Sequence, residues 1–130
     1  MRIDAVRVAR QTDRLVEVVA FYRDVVGLPV IGGFDDHDGY TGVMLGAPDE
    51  AVHLEFTHHA GGSPAQPGGA DDLLVLYCGA EAVRGTVARA RAAGVETVPA
   101  ANPYWEAVGG VVLIDPDGRQ LVLVPPAPTP

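Results

Sequence analysis

The amino-acid sequence predicts an α+β fold in which one strand, helix, strand, strand, strand unit is written twice. Three observations carry this. Helical stripes close on Gly27 and on Gly94, an offset of 67 positions. Nearly the same offset lays Gly42-Val43-Met44-Leu45 onto Gly110-Val111-Val112-Leu113, with one residue of slippage, which marks an internal repeat. Each stripe is followed by short apolar alternations separated by turns, with no second helix. A ferredoxin-like sandwich, the nearest alternative, expects such a helix between its later strands.

The first element is a strand from Ile3 to Ala9, where Val6 and Val8 alternate with Arg7. Thr12 or Asp13 then caps a helix whose Leu15, Val18, Val19, Tyr22, Val25 and Val26 share one face, with Gly27 in the C-terminal cap position. Strands are expected at Leu28 to Ile31, Tyr40 to Leu45 and Ala51 to Thr57, broken by Gly32-Gly33 and Ala47-Pro48-Asp49. Asp35-Asp36-His37-Asp38-Gly39-Tyr40 is acidic but lacks the closing glutamate of a calcium loop, so it reads as a solvated turn.

Residues 58–71 contain Gly61-Gly62, Pro64, Pro67 and Gly68-Gly69 without periodicity, and read as a linker. The pattern restarts with a strand at Leu73 to Tyr77, an alanine- and arginine-rich helix from Ala80 to Ala93, and strands at Val95 to Val98, Val111 to Ile114 and Leu121 to Val124. The last two flank the turn Asp115-Pro116-Asp117-Gly118. Residues 1–130 thus read as one domain, with unit one at about 3–57 and unit two at about 72–125. A unit with one helix covers one sheet face and leaves the other bare. Two such units are expected to pair and enclose a space that suits a small molecule.

Composition narrows the chemistry. A formal charge of −8 argues against a nucleic-acid partner, which requires a surplus of Lys and Arg. It suits a cationic or neutral small molecule, and it equally serves solubility. All nine basic residues are Arg, so Schiff-base catalysis and a phosphate-loop lysine are excluded. Cys78 is the only cysteine, which precludes an intrachain disulfide and fits a reducing, cytoplasmic setting. Met1-Arg2-Ile3-Asp4 runs into the first strand without an apolar leader, and no apolar run reaches the ~20 residues of a membrane span, so no membrane partner is expected.

Phe21-Tyr22-Arg23-Asp24-Val25-Val26-Gly27-Leu28 resembles the helix-end signature of the vicinal oxygen chelate superfamily, which includes glyoxalase I, bleomycin-type resistance proteins and extradiol dioxygenases. Asp115-Pro116-Asp117-Gly118 and the alternating strand after it resemble the final hairpin of the same proteins. The resemblance runs from about Val6 to Val124 and implies two βαβββ units forming a cupped eight-stranded sheet around a cavity, commonly in homodimers. In metal-dependent members four side chains converge in that cavity. The matching positions here are Val6 or Arg7, Leu73 or Leu74, Glu55, and Val122 or Leu123. Only Glu55 is a metal donor, and one carboxylate among apolar neighbours cannot hold a divalent cation tightly. No cofactor is expected, with a divalent metal as the alternative.

The most polar stretch is His53-Leu54-Glu55-Phe56-Thr57-His58-His59. On an alternating strand His53 and Glu55 share a face and Leu54 and Phe56 share the other. His53 and Glu55 are therefore the candidate catalytic pair, acting as acid and base, or else a mutually hydrogen-bonded pair without chemistry. His58 and His59 extend the set toward an unorthodox metal site, or are simply solvated. Arg7 either clamps a carboxylate or phosphate or extends outward. Asn102-Pro103-Tyr104-Trp105-Glu106 places two aromatic rings in a loop, and Tyr104 and Trp105 are candidate ligand walls, or a dimer contact or lid over the core.

Two functional readings follow. The first is a metal-free protein that binds a cationic or aromatic small molecule. The second is a lyase, isomerase or dioxygenase-type enzyme using Glu55 and His53.

Overall fold

The strands expected at Tyr40 to Leu45 and Ala51 to Thr57 lie side by side, with ends that differ from the expected ones. The computed structural model describes residues 1–47, 49 and 51–126. These divide into two units, Met1–Ala65 and Gln66–Pro130. The turn expected at Ala47-Pro48-Asp49 lies partly outside the described residues. No helix of the described residues is long and apolar enough to cross a membrane.

Unit one runs β1 (Val6–Gln11), α1 (Leu15–Ala20), a π-helical turn (Phe21–Val26), β2 (Val30–His37), β3 (Tyr40–Gly46) and β4 (Val52–His59). Its sheet has the order β1-β4-β3-β2. β1 lies parallel to β4, and the other pairs are antiparallel. Parallel pairing requires a long crossover, which the helix and the β2–β3 hairpin supply. The apolar stripe of the helix meets the sheet on the face of Leu54 and Phe56. Tyr22 is fully buried and stacks on Phe56 with ring centroids 5.0 Å apart, and Phe21 meets Tyr22 edge-on at 5.0 Å. Val18, Leu45 and Phe56 are fully buried beside them.

Several expected boundaries are corrected by hydrogen bonding. Neither Thr12 nor Asp13 caps α1, whose N-cap is Arg14. The Thr12 hydroxyl instead accepts from Arg14 N at 2.9 Å, and Asp13 Oδ1 accepts from Ser63 N. Gly32-Gly33 does not break a strand. Gly32 pairs with Met44 and Gly33 with Val43, after a register shift that lengthens β2 to His37. A Cβ on Gly33 would lie 2.9 Å from Gly42 O, so glycine permits the close approach at this irregularity. Of the acidic segment, Asp35 to His37 lie in β2 and Asp38-Gly39 form the hairpin turn, with positive φ at Asp38 (53°) and Gly39 (85°), as a two-residue primed turn demands. β4 continues through His58 and His59, which pair with Thr41 and Tyr40.

Unit two runs β5 (Leu73–Tyr77), α2 (Ala80–Ala92), α3 (Tyr104–Ala107), β6 (Val111–Ile114) and β7 (Gln120–Val124). The sheet order is β5-β7-β6, with β5 parallel and β6 antiparallel to β7. Gly94 N bonds Arg91 O at 3.0 Å and Val95 N bonds Ala90 O at 2.8 Å, a Schellman closure with Gly94 at φ 78°. The strand expected at Val95 to Val98 is reduced to one bridge between Val98 and Val112. Pro99 offers no N–H, and Ala100 N turns away to the Glu106 carboxylate at 2.9 Å, which draws the chain out of the ladder. The described residues therefore form a four-stranded and a three-stranded sheet, not eight strands. Tyr104 to Ala107, expected as loop, is one turn of helix whose entry is held by Asn102 Oδ1, which accepts from Tyr104 N at 3.0 Å.

Both faces of this second sheet are apolar. Leu113, Leu121 and Leu123 are buried in one alternation. Val112, Val122 and Val124 in the other are packed by Leu73, Val75, Val98, Ala100 and Trp105. The hairpin before β7 is fixed by Asp115 Oδ1, which accepts from Asp117 N and Arg119 N, both at 2.9 Å.

Candidate functional site

The register of unit one collects the polar residues on a single sheet face. Arg7 pairs with His53, Ala9 with Glu55 and Gln11 with Thr57 across β1 and β4. Gly46, Met44 and Gly42 stand opposite His53, Glu55 and Thr57 across β3 and β4. Partners in register project to the same side, and strand residues two apart do as well. Arg7, His53 and Glu55, three of the five residues singled out from the sequence, therefore share the face turned away from Phe56 and the helix.

His53 and Glu55 are half-buried, and Arg7 is exposed. His53 does not form the self-contained pair with Glu55 that was the simpler expectation. Its Nε2 is buried and has no hydrogen-bond partner among the described residues. Leaving such a group unmatched costs roughly 1–3 kcal/mol. Arg10 also buries an unmatched nitrogen, Nη1, but it is in register with Phe56 on the opposite face.

The same face has an aromatic part that sequence reasoning did not find. Phe34 pairs with Gly42, and its ring lies across that glycine, with Cζ 2.5 Å from where a Cβ would stand. Tyr40 and His59 follow at the end of the strands with ring centroids 4.6 Å apart. The signal was present as a bare Gly42 within an apolar strand, a mark of close approach. Only the cross-strand register shows that an aromatic ring fills the space.

His58 does not join this face. Its Nδ1 lies 3.0 Å from Thr12 O and 3.4 Å from Asp13 Oδ1. Ser63 is buried, and its Oγ accepts from His59 N at 2.8 Å. Asp13, His58 and Ser63 thus fasten the end of β4 to the β1–α1 loop.

The donor set does not fit the metal that the superfamily resemblance implies. Glu55, flanked by buried Leu54 and Phe56, corresponds to Val122, flanked by buried Leu121 and Leu123. The first-strand residues in register with them are Ala9 and Val75, not the Val6 or Arg7 and Leu73 or Leu74 expected from the sequence. One carboxylate, one methyl group and two isopropyl groups provide a single donor. No cluster of three or more His, Cys, Asp or Glu side chains able to hold a metal is present among the described residues.

In unit two the aromatic pair separates by role. Trp105 packs against the cluster of Val112, Val122 and Val124 and covers it. Tyr104 meets Trp105 edge-on at 5.1 Å, is 54% exposed, and lines a cavity of about 480 Å³ with Tyr77, Val108, Val124 and Pro125. Cys78 is half-buried, and burial pushes its thiol above the ordinary range, which disfavours the nucleophilic thiolate.

Comparison with known proteins agrees with this architecture. Residues 6–57 match the YycE-like N-terminal domain and residues 71–125 the YycE-like C-terminal domain. The uncharacterized protein YycE of Bacillus subtilis is 41% identical over 120 residues, 92% of this chain and 86% of its own. A crystal structure of a YycE protein of unknown function from that organism superposes with a TM-score of 0.87. It is 37% identical and covers 99% of this chain and 94% of its own. The trypanothione-dependent glyoxalase I of Leishmania major shares the fold at a TM-score of 0.71 and 22% identity, covering 96% of this chain and 86% of its own.

Proposed function

The chain belongs to the YycE-like family, within the vicinal oxygen chelate superfamily, and from that premise we propose that it binds a small aromatic or cationic molecule on the polar face of β1, β4 and β3. The observation that carries the reading is the buried Nε2 of His53, which has no protein partner among the described residues. A ligand polar atom would satisfy it. Glu55, one alternation further along, offers a carboxylate to a cationic group, and Phe34 offers a ring face. Arg7, in register with His53, gives the site a second polarity and favours a ligand that also carries an acceptor. Tyr104, an exposed ring on unit two, is a separate candidate ligand contact of that unit. Trp105, partly buried against the core cluster, supports Tyr104.

Binding in this reading is metal-free, since the only carboxylate at the superfamily's ligand positions is Glu55. The single, partly buried Cys78 supports a cytoplasmic setting. The family resemblance and the 80% exposure of Val16 on α1 support a homodimer. Acid–base turnover by His53 and Glu55 is the second reading, favoured by the same unpartnered imidazole nitrogen.

An amide-resolved NMR titration with a planar heteroaromatic cation, N-methylquinolinium, tests the proposal. The expected shifts fall at Phe34, His53 and Glu55, and Glu55→Gln weakens binding about five-fold, equivalent to ~1 kcal/mol. Shifts confined to other elements contradict it. Adding nickel or zinc to protein purified without chelator separates the readings, since stoichiometric tight binding would favour a metal-dependent enzyme.

A further inference from the structure

We propose that unit two carries a second binding site, for an amphipathic anion, in the groove between α2 and the start of β6. Arg84, Val87, Ala88 and Arg91 line a cavity of about 530 Å³ with Val111 and Pro125. The four α2 residues fall at i, i+3, i+4 and i+7, one stripe of the helix. The volume is in the range of ligand cavities, about 300–1,000 Å³.

Charge selects the occupant. Arg84 and Arg91 stand two turns apart, about 10 Å along the axis, with the apolar groove beside them. Both are exposed, and neither guanidinium has an ion-pair or hydrogen-bond partner among the described residues. Arg89, on the same helix, is occupied differently: its Nη2 donates to Thr86 Oγ1 at 3.2 Å. These two free guanidinium groups bound an apolar surface on a chain with a net charge of −8, whose general field attracts cations, so they set a local polarity opposite to the whole. The local arrangement matches a carboxylate or sulfonate carried on an apolar body, with the acid held by guanidinium and the body against Val83, Val87 and Val111. Gly109 keeps the far wall low. It stands at φ 82°, and a Cβ there would come within 3.3 Å of Pro125 Cγ.

The site is on a different unit from His53 and Glu55, so the two proposals fail independently. The test is calorimetric and NMR titration of the full chain with decanoate, decan-1-ol and decyltrimethylammonium. Decanoate is expected to bind with amide shifts at Val83, Val87 and Val111, at least ten-fold more tightly than decan-1-ol, and more weakly as salt is added. Arg84→Gln with Arg91→Gln should weaken decanoate at least ten-fold and leave the melting temperature and decan-1-ol binding unchanged. Val87→Trp, which fills the groove, should abolish the shifts. Equal affinity for decanoate and decan-1-ol, preference for the cation, or full decanoate binding by the double variant would each overturn the proposal. So would decanoate shifts located outside α2 and β6.

Discussion

The ring of Phe34 lies across Gly42, its Cζ 2.5 Å from the point a Cβ would occupy. The pair gives the candidate ligand face an aromatic floor, and position 42 controls whether that floor exists. Gly42→Ala must swing the ring aside. Loss of this packing and relief of glycine's backbone entropy are each of order 1 kcal/mol and opposed, so the melting temperature should move by only a few degrees. In the unsubstituted protein the Gly42 Hα that a methyl would replace should be shifted upfield by the ring, and in Gly42→Ala N-methylquinolinium affinity should fall. Two Gly42 Hα resonances without an upfield shift would show that the ring does not lie there.

Ser63 accepts from His59 N through its buried hydroxyl. Ser63→Ala leaves that N–H unmatched and should destabilise the protein by about 1–3 kcal/mol, read by urea denaturation. Amide exchange at His59 should accelerate more than the change in global stability explains. Equal protection in both proteins would remove the serine from this role.

Gly94 adopts φ 78° with open space where a Cβ would go. Gly94→Ala should therefore cost about 1 kcal/mol from backbone strain alone, and Gly94→Val more, because the branched side chain is less tolerant of the left-handed region. A melting temperature equal to wild type for both would show that α2 closes elsewhere.

Burial raises the Cys78 thiol, so less of it is thiolate at any pH below its titration. Alkylation by iodoacetamide at pH 8 should be slower than for free cysteine, and the pH midpoint of the rate should lie above that of the free thiol. A rate equal to that of free cysteine contradicts the assignment.

The parts of the fold written as side-chain alternation were legible in the sequence. β5 and β6 match their expected spans, and β7 differs by one residue, because apolar runs bounded by turn residues admit one strand reading. The shared face of His53 and Glu55 followed from period two alone. What was not legible depends on backbone choices. The π-helical turn at Phe21–Val26 has the same apolar stripe as an α-helix and differs in which carbonyl accepts, with Gly27 N on Tyr22 O at 3.1 Å. The extension of β2 through Gly32-Gly33 rests on ladder pairing without side chains, and the loss of the Val95 to Val98 strand on an Ala100 N–H recruited by Glu106. α3 is one turn long and too short for periodicity. Phe34 over Gly42 needed the register of two strands, which no local pattern carries.

The most direct test of the ligand-binding account is a crystal structure of the protein with its tightest small-molecule ligand. The account predicts that the molecule lies on the β1–β4–β3 face with a polar atom within about 3.2 Å of His53 Nε2. A ligand seated away from that face, or a cation held there by three or more protein atoms, would contradict it.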